Sequence, residues 1–188
     1  MAQKKTQKKS PAKKAAKRKS ASRQKTEHGD IIQLILDDHK TLKRLIKVMK
    51  NTDKDISERE DAFEAFAPAL VTHAKPEEET MYIRMKSDED LRTEAFEGDV
   101  EHMLADQLLE EIMRTEDEDL WSARVKVLAE LVEHHIEEEE EELLPDFRKH
   151  TELEERVQLG AQFLKLKQKL ERQGGKDTVD ENEYHANN

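Results

Sequence analysis

Polar residues break the apolar seams of this chain at fixed places, and they do so twice. A lone histidine, His39, is followed by a His-x-x-x-Glu pair, His73 with Glu77. Further on, His102 is followed by His135 with Glu139. The offset between the two sets is 63 residues for the lone histidines and 62 for both members of the pair. The apolar neighbours keep the same register: Leu45 and Ile46 match Leu108 and Leu109, and Met49 matches Ile112. A repeat of that length is one supersecondary unit used twice, so the chain predicts a duplicated helix hairpin about a pseudo-twofold axis.

The seams have helical spacing. Ile35, His39, Leu42, Ile46 and Met49 define a first helix, Ile31 to Lys50, with Asp30 as its N-cap. After a turn at 51–55, Ser57 and Glu60 form a capping box for a second helix. Its seam runs Phe63, Phe66, Leu70, His73, Glu77, and it contains Pro68 and Pro76, each expected to bend it. A polar turn at 87–90 precedes a third helix, which starts at Leu91 or after Gly98 and ends near Arg114. A fourth runs from about Leu120 to Leu144, where Pro145 interrupts it, and a fifth comes after it. Four helices of similar length joined by short turns predict an all-α, antiparallel up-down four-helix bundle with an extra C-terminal helix. The expected division is a basic arm at 1–26, the bundle at 27–148, the C-terminal helix at 149–173 and a polar tail at 174–188.

Composition separates the arm from the body. The chain is 35% apolar and 41% charged with a net charge of −11, yet residues 1–25 hold eleven Lys or Arg and no acid. The other residues carry 22 basic and 44 acidic groups, a net of −22. The arm, "KKSPAKKAAKRKS" at its centre, has no Val, Ile, Leu or aromatic residue and is expected to be disordered. Positive charge without aromatics suits sequence-independent contact with nucleic-acid phosphates and offers no base readout. Nuclear targeting and docking on the acidic body are the alternatives. No cysteine is present, which excludes disulfides, iron–sulfur clusters and thiolate zinc sites. No run approaches the ~20 apolar residues of a membrane span, and no apolar stretch succeeds the basic N-terminus to make it a secretory signal. The default location is therefore cytoplasmic, with nuclear or nucleoid association through the arm as the variant.

On a helix, residues i and i+4 share a face, so each His-x-x-x-Glu pair presents a nitrogen and a carboxylate inward one turn apart. Closing the bundle brings His39, His73, Glu77, His102, His135 and Glu139 together. Burying six such groups without partners is costly, and cations supply the compensation. Imidazole and carboxylate without thiolate suit iron or manganese, with zinc the weaker fit. One carboxylate and two histidines per helix pair suit two metals, with each glutamate able to bridge. Glu-x-x-His, the ferritin-like alternative, is absent.

These motifs, "DHKTLKRL", "HAKPEEETMYI", "EHMLADQLL" and "HIEEEEEELLP", resemble the hemerythrin (HHE cation-binding) family over roughly residues 28–147. The resemblance implies two non-haem iron ions held by the six residues named above. It also implies a small ligand: O2, peroxide or nitric oxide. Oxygen-carrying hemerythrins place a second histidine where this chain has Asp106, and an aspartate five residues into the last motif where it has Glu139 at four. The chain is instead similar to the four-His, two-Glu branch, which includes iron–sulfur-cluster repair proteins of nitrosative stress and an iron-sensing ubiquitin-ligase domain. The expectation is a protein that binds, senses or detoxifies such ligands, with weak peroxide or NO turnover left open. The alternatives are a nucleic-acid-associated iron sequestration protein and a binding module switched by iron occupancy. Asp106 is a candidate seventh ligand or a hydrogen-bond partner of an inner group. Glu78, Glu79, Glu137, Glu138 and Glu140 to Glu142 read mostly as solvated face. Tyr82, one turn beyond Glu77, reads as packing, with an approach to the site as the alternative, and His28, His134, His150 and His185 read as surface.

Overall fold

The computed structural model describes residues 29–173. The arm at 1–26, the tail at 174–188, His28 and His185 lie outside the described residues. Within them the structure is all-helical. Helix α1 spans Ile31–Met49 and α2 spans Ile56–Glu77, succeeded by a π-helical turn, Glu78–Tyr82, and the short α3, Ile83–Lys86. Helix α4 spans Arg92–Met113 and α5 Glu118–Glu138, succeeded by a second π-helical turn, Glu139–Leu143. Helix α6 spans Leu144–His150 and α7 Leu153–Arg172.

The repeat is visible in the packing: α1 lies on α2 and α4 on α5, the two hairpins meet between α1 and α5, and α7 packs on α1 and α2. The Asp30 carboxylate accepts from the Ile32 N–H at 3.1 Å, satisfying one of the orphan donors of α1. It also holds Arg156 of α7 at 3.0 Å, so the cap fastens the last helix to the first.

Two points differ from the sequence reading, and a third, the start of α4, falls at the earlier of its two expected places. Helix α2 starts at Ile56 with Asp55 in the cap position and no side-chain cap bond. Ser57 therefore already lies in the first turn and does not serve as the cap of a capping box. Gly98 lies inside α4, which starts at Arg92. Pro145 does not interrupt the last long segment: it sits just after the second π turn, at the beginning of α6, and the backbone stays helical through it.

The core is divided in two. One cluster contains Leu42, Ile46, Met49, Phe63, Phe66, Leu109, Trp121 and Val125. The other contains Ile31, Ile35, Met81, Tyr82, Met85, Phe147 and Phe163. Each large side chain buried in them contributes ~1.5–3 kcal/mol. The layer between the two clusters is where the seam histidines lie: His39 falls between Ile35 and Leu42, and His73 between Leu70 and Met81. The apolar stripe that holds the helices together is thus interrupted at one level across the whole bundle.

Candidate metal centre

All six seam residues are buried: His39, His73, Glu77, His102, His135 and Glu139 are each 4% exposed or less. The helices deliver them from four directions. His39 comes from the middle of α1 and His102 from α4, while His73 and His135 lie near the ends of α2 and α5. Glu77 closes α2 and Glu139 opens the second π turn. A π turn adds a residue to the helical ring and re-aims the side chains beyond it, which is why such turns gather at functional sites.

Their donor atoms fall into two groups, His39 with His73 and Glu139, and Glu77 with His102 and His135, each within 4.8 Å. The carboxylates are exchanged: each group takes two histidines from one hairpin and its glutamate from the other. Each glutamate also touches the other group. Glu77 Oε2 lies 3.5 Å from His73 Nε2 and 3.9 Å from His102 Nε2. Glu139 Oε2 lies 3.2 Å from His39 Nε2 and 3.7 Å from His135 Nε2. Both carboxylates are therefore placed to bridge.

The outer nitrogens of three histidines meet carboxylates: His39 Nδ1 with Glu140 at 3.1 Å, His102 Nδ1 with Glu78 at 3.1 Å, His135 Nδ1 with Glu101 at 2.6 Å. Asp38 lies 3.7 Å from His73 Nδ1, too long for a hydrogen bond. An ionised carboxylate only accepts, so Nδ1 is the donor in the three bonded rings and the Nε2 lone pairs face inward. His102 Nε2 and His135 Nε2 face each other at 3.0 Å. Buried without any hydrogen-bond partner are His39 Nε2, both nitrogens of His73, both oxygens of Glu77 and Glu139 Oε2. Inward-facing nitrogen lone pairs and orphaned carboxylate oxygens are what cations need and what a folded chain otherwise avoids. The residues fit metal.

Electrostatics reflect the same crowding. Burial pushes the Glu77 carboxyl well above its usual range, and the nearby Glu139 charge adds to it. Glu139 goes the other way: burial would raise it, but the imidazoles around it, His135 first and then His39 and His73, outweigh burial and hold it ionised. Burial lowers His73 to about 4, so its ring is neutral at physiological pH and free to ligate. His135 is raised, its burial outweighed by Glu139 and Glu101.

The structure corrects several side-chain roles. Tyr82 is more than packing: its hydroxyl donates to Glu139 Oε1 at 2.8 Å and its ring stacks on His102 at 5.5 Å. Burial and the neighbouring Glu139 and Glu77 raise the phenol well above its usual value, so it keeps its proton. Gly98 makes this possible, since a methyl group there would overlap the tyrosine ring. Asp106 stands in neither donor group; it pairs with Lys75 at 2.7 Å, and Lys75 in turn reaches Glu78. Glu78 and Glu140 are only partly solvated and touch histidines. The repeat carried a signal for them: Glu78 and Glu140 stand 62 residues apart, Asp38 and Glu101 63. Tyr82 carried none, because Leu144 occupies the matching place. His134 and His150 lie at the surface as expected.

No helix among the described residues is long and apolar enough to cross a membrane. No curated protein and no solved structure matches the chain. The hemerythrin HHE cation binding domain matches residues 30–147, from the cap of α1 to the buried Phe147 of α6. With that match over most of its length, and with two buried His/Glu groups able to hold a metal ion, the chain belongs to the hemerythrin HHE cation-binding family.

Proposed function

We propose that this is a non-haem di-iron protein that binds, senses or detoxifies O2, peroxide or nitric oxide. The observation carrying the proposal is the pair of donor groups joined by two carboxylates, each facing histidines of both. The ligands would be His39, His73 and Glu139 on one side and Glu77, His102 and His135 on the other. Iron is favoured over manganese and zinc by the imidazole–carboxylate donor set within this family. Six protein groups cannot fill two six-coordinate ions, and the iron pair would supply the open positions and the electrons for a small ligand. The chain's own part is positional. Glu140, Glu78 and Glu101 orient three imidazoles, the apolar clusters lie above and below the site, and Tyr82 presents a proton at Glu139 Oε1. The test is iron analysis of protein from iron-replete cells, then optical and Mössbauer spectra of the reduced form exposed in turn to O2, H2O2 and NO. About two irons per chain and a ligand-dependent spectrum are expected; a chain that folds fully and holds no iron would sink the reading.

The sequence of the arm favours a second reading, in which eleven cationic residues within 1–25 hold the iron-binding body on nucleic acid, independent of base sequence. Mobility-shift titrations of full-length and Δ1–26 protein across salt concentrations test it. Equal shifts, or shifts insensitive to salt, reject it.

A further inference from the structure

Three of the four carboxylates beside the histidines are neutralised by lysine. Lys43 holds Glu140 at 2.8 Å, Lys75 reaches Glu78 at 3.3 Å, and Lys167 of α7 pairs with Asp38. Glu101 has no Lys or Arg partner among the described residues. It stands instead at the edge of a cavity of about 110 Å³ whose wall includes His135 and Glu139. Apart from Met85, Leu91, Gly98 and Leu143, the rest of that wall is acidic. Glu94 and Glu97 of α4 and Glu142 of the second π turn line it, and none forms an ion pair with Lys or Arg among the described residues. Glu138 and Asp146 line it too, paired only with exposed groups, His134 at 3.3 Å and Lys149 at 2.5 Å. A second observation gives the cluster a direction: Glu139, 1% exposed, carries an oxygen without any partner on the same wall.

We infer that this cavity is the vestibule through which divalent cations reach the centre, drawn by Glu94, Glu97, Glu101 and Glu142 and received by Glu139 and His135. The inference rests on the di-iron reading, but concerns the route rather than the occupant. Carboxylates on walls of low dielectric focus a field that raises cation encounter rates about 10- to 1,000-fold, and salt weakens it. On the other three histidine flanks a lysine ammonium offsets the carboxylate and leaves no net charge there to draw a cation. The volume holds several waters, so an ion can shed its hydration shell there in stages.

The experiment is stopped-flow uptake of Co²⁺ by the metal-free full-length protein, monitored by visible absorption, at low and high ionic strength. The variant E94Q/E97Q/E142Q removes three charges from the wall and no proposed ligand. The control E60Q/D61N/E64Q makes the same change of charge on exposed positions of α2. The vestibule variant should fill at least ten-fold more slowly, with a flatter salt dependence and the same final metal per chain. The control should change less than two-fold. Equal uptake rates for wild type and vestibule variant, with full stoichiometry in both, overturn the vestibule and leave the di-iron reading standing. Wild-type protein that takes up no metal overturns both.

Discussion

The two hairpins supply the same inner groups but surround them differently. In the first, Glu78 is held by Lys75, Asp38 by Lys167, and Tyr82 crosses to Glu139. In the second, Glu140 is held by Lys43 from α1, while Glu101 faces the acidic cavity without a lysine and Leu144 stands where a second tyrosine would be. The two halves thus match at the six candidate ligands and differ in what surrounds them. A ligand must be a histidine or carboxylate at a fixed height on its helix. The residue behind it needs only to orient a ring, and a residue further out only to set the local field.

Breaking the inner symmetry should cost most. His39→Ala and His135→Ala each remove one donor from a different group. Both should drop metal from about two ions per chain to one or fewer, by elemental analysis. Because Glu77 and Glu139 are shared, either loss disturbs both groups. A variant that keeps both ions would show that its histidine is no ligand.

The orienting carboxylates should separate the halves. Glu101→Ala removes a 2.6 Å bond that no lysine backs up, and is expected to weaken metal binding about 10- to 100-fold. Asp38→Ala removes a 3.7 Å contact and should cost several-fold less. Competition against a coloured chelator measures both. The reverse order would mean that the Lys167 pair, and with it α7, sets the position of His73.

Glu77 and His73 titrate in opposite senses. Raised above its unfolded value, Glu77 contributes stability that is complete below about 4.5 and is lost as pH rises through its folded value. Lowered to about 4, His73 contributes stability that is present above 6.5 and is lost as pH falls toward 4. Between pH 4.5 and 6.5 the two slopes oppose in metal-free protein. Glu77→Gln removes one, so the stability of the metal-free variant should climb steadily from pH 4 to 6.5. It should also exceed wild type at neutral pH by ~0.5–2 kcal/mol while metal binding falls, the trade-off of a site built against stability. Urea titrations at four pH values show it; a variant less stable than wild type at pH 7 would mean that Glu77 is not held neutral by burial.

The smallest effect belongs to Asp106. Its pair with Lys75 is half-exposed, so Asp106→Asn should cost at most ~1 kcal/mol and leave the metal stoichiometry unchanged. Loss of an ion would restore it as a ligand.

Most of the fold could be read from apolar periodicity, because burying a stripe of Ile, Leu, Met and Phe leaves a helix little choice of inner face. The candidate residues could be read because histidine and glutamate at i and i+4 on that stripe contradict it. The boundaries could not: whether Pro145 ends a helix or opens one depends on which backbone N–H groups already have partners. The partner of Tyr82 was equally hidden, though its place one turn beyond Glu77 was not. A tyrosine on a seam looks the same whether its hydroxyl reaches solvent or a carboxylate 57 positions further on.

By itself, the sequence determined that two matched hairpins would bury four imidazoles and two carboxylates, since helical spacing converts residue order into facing direction. Only the tertiary structure decided that each glutamate would cross to the other hairpin's histidines, that lysines would shield three flanks, and that the fourth would stay open and acidic. Those outcomes depend on distances between helices, which local sequence does not encode. They are set by how α1, α2, α4 and α5 settle against one another and by where α7 lands.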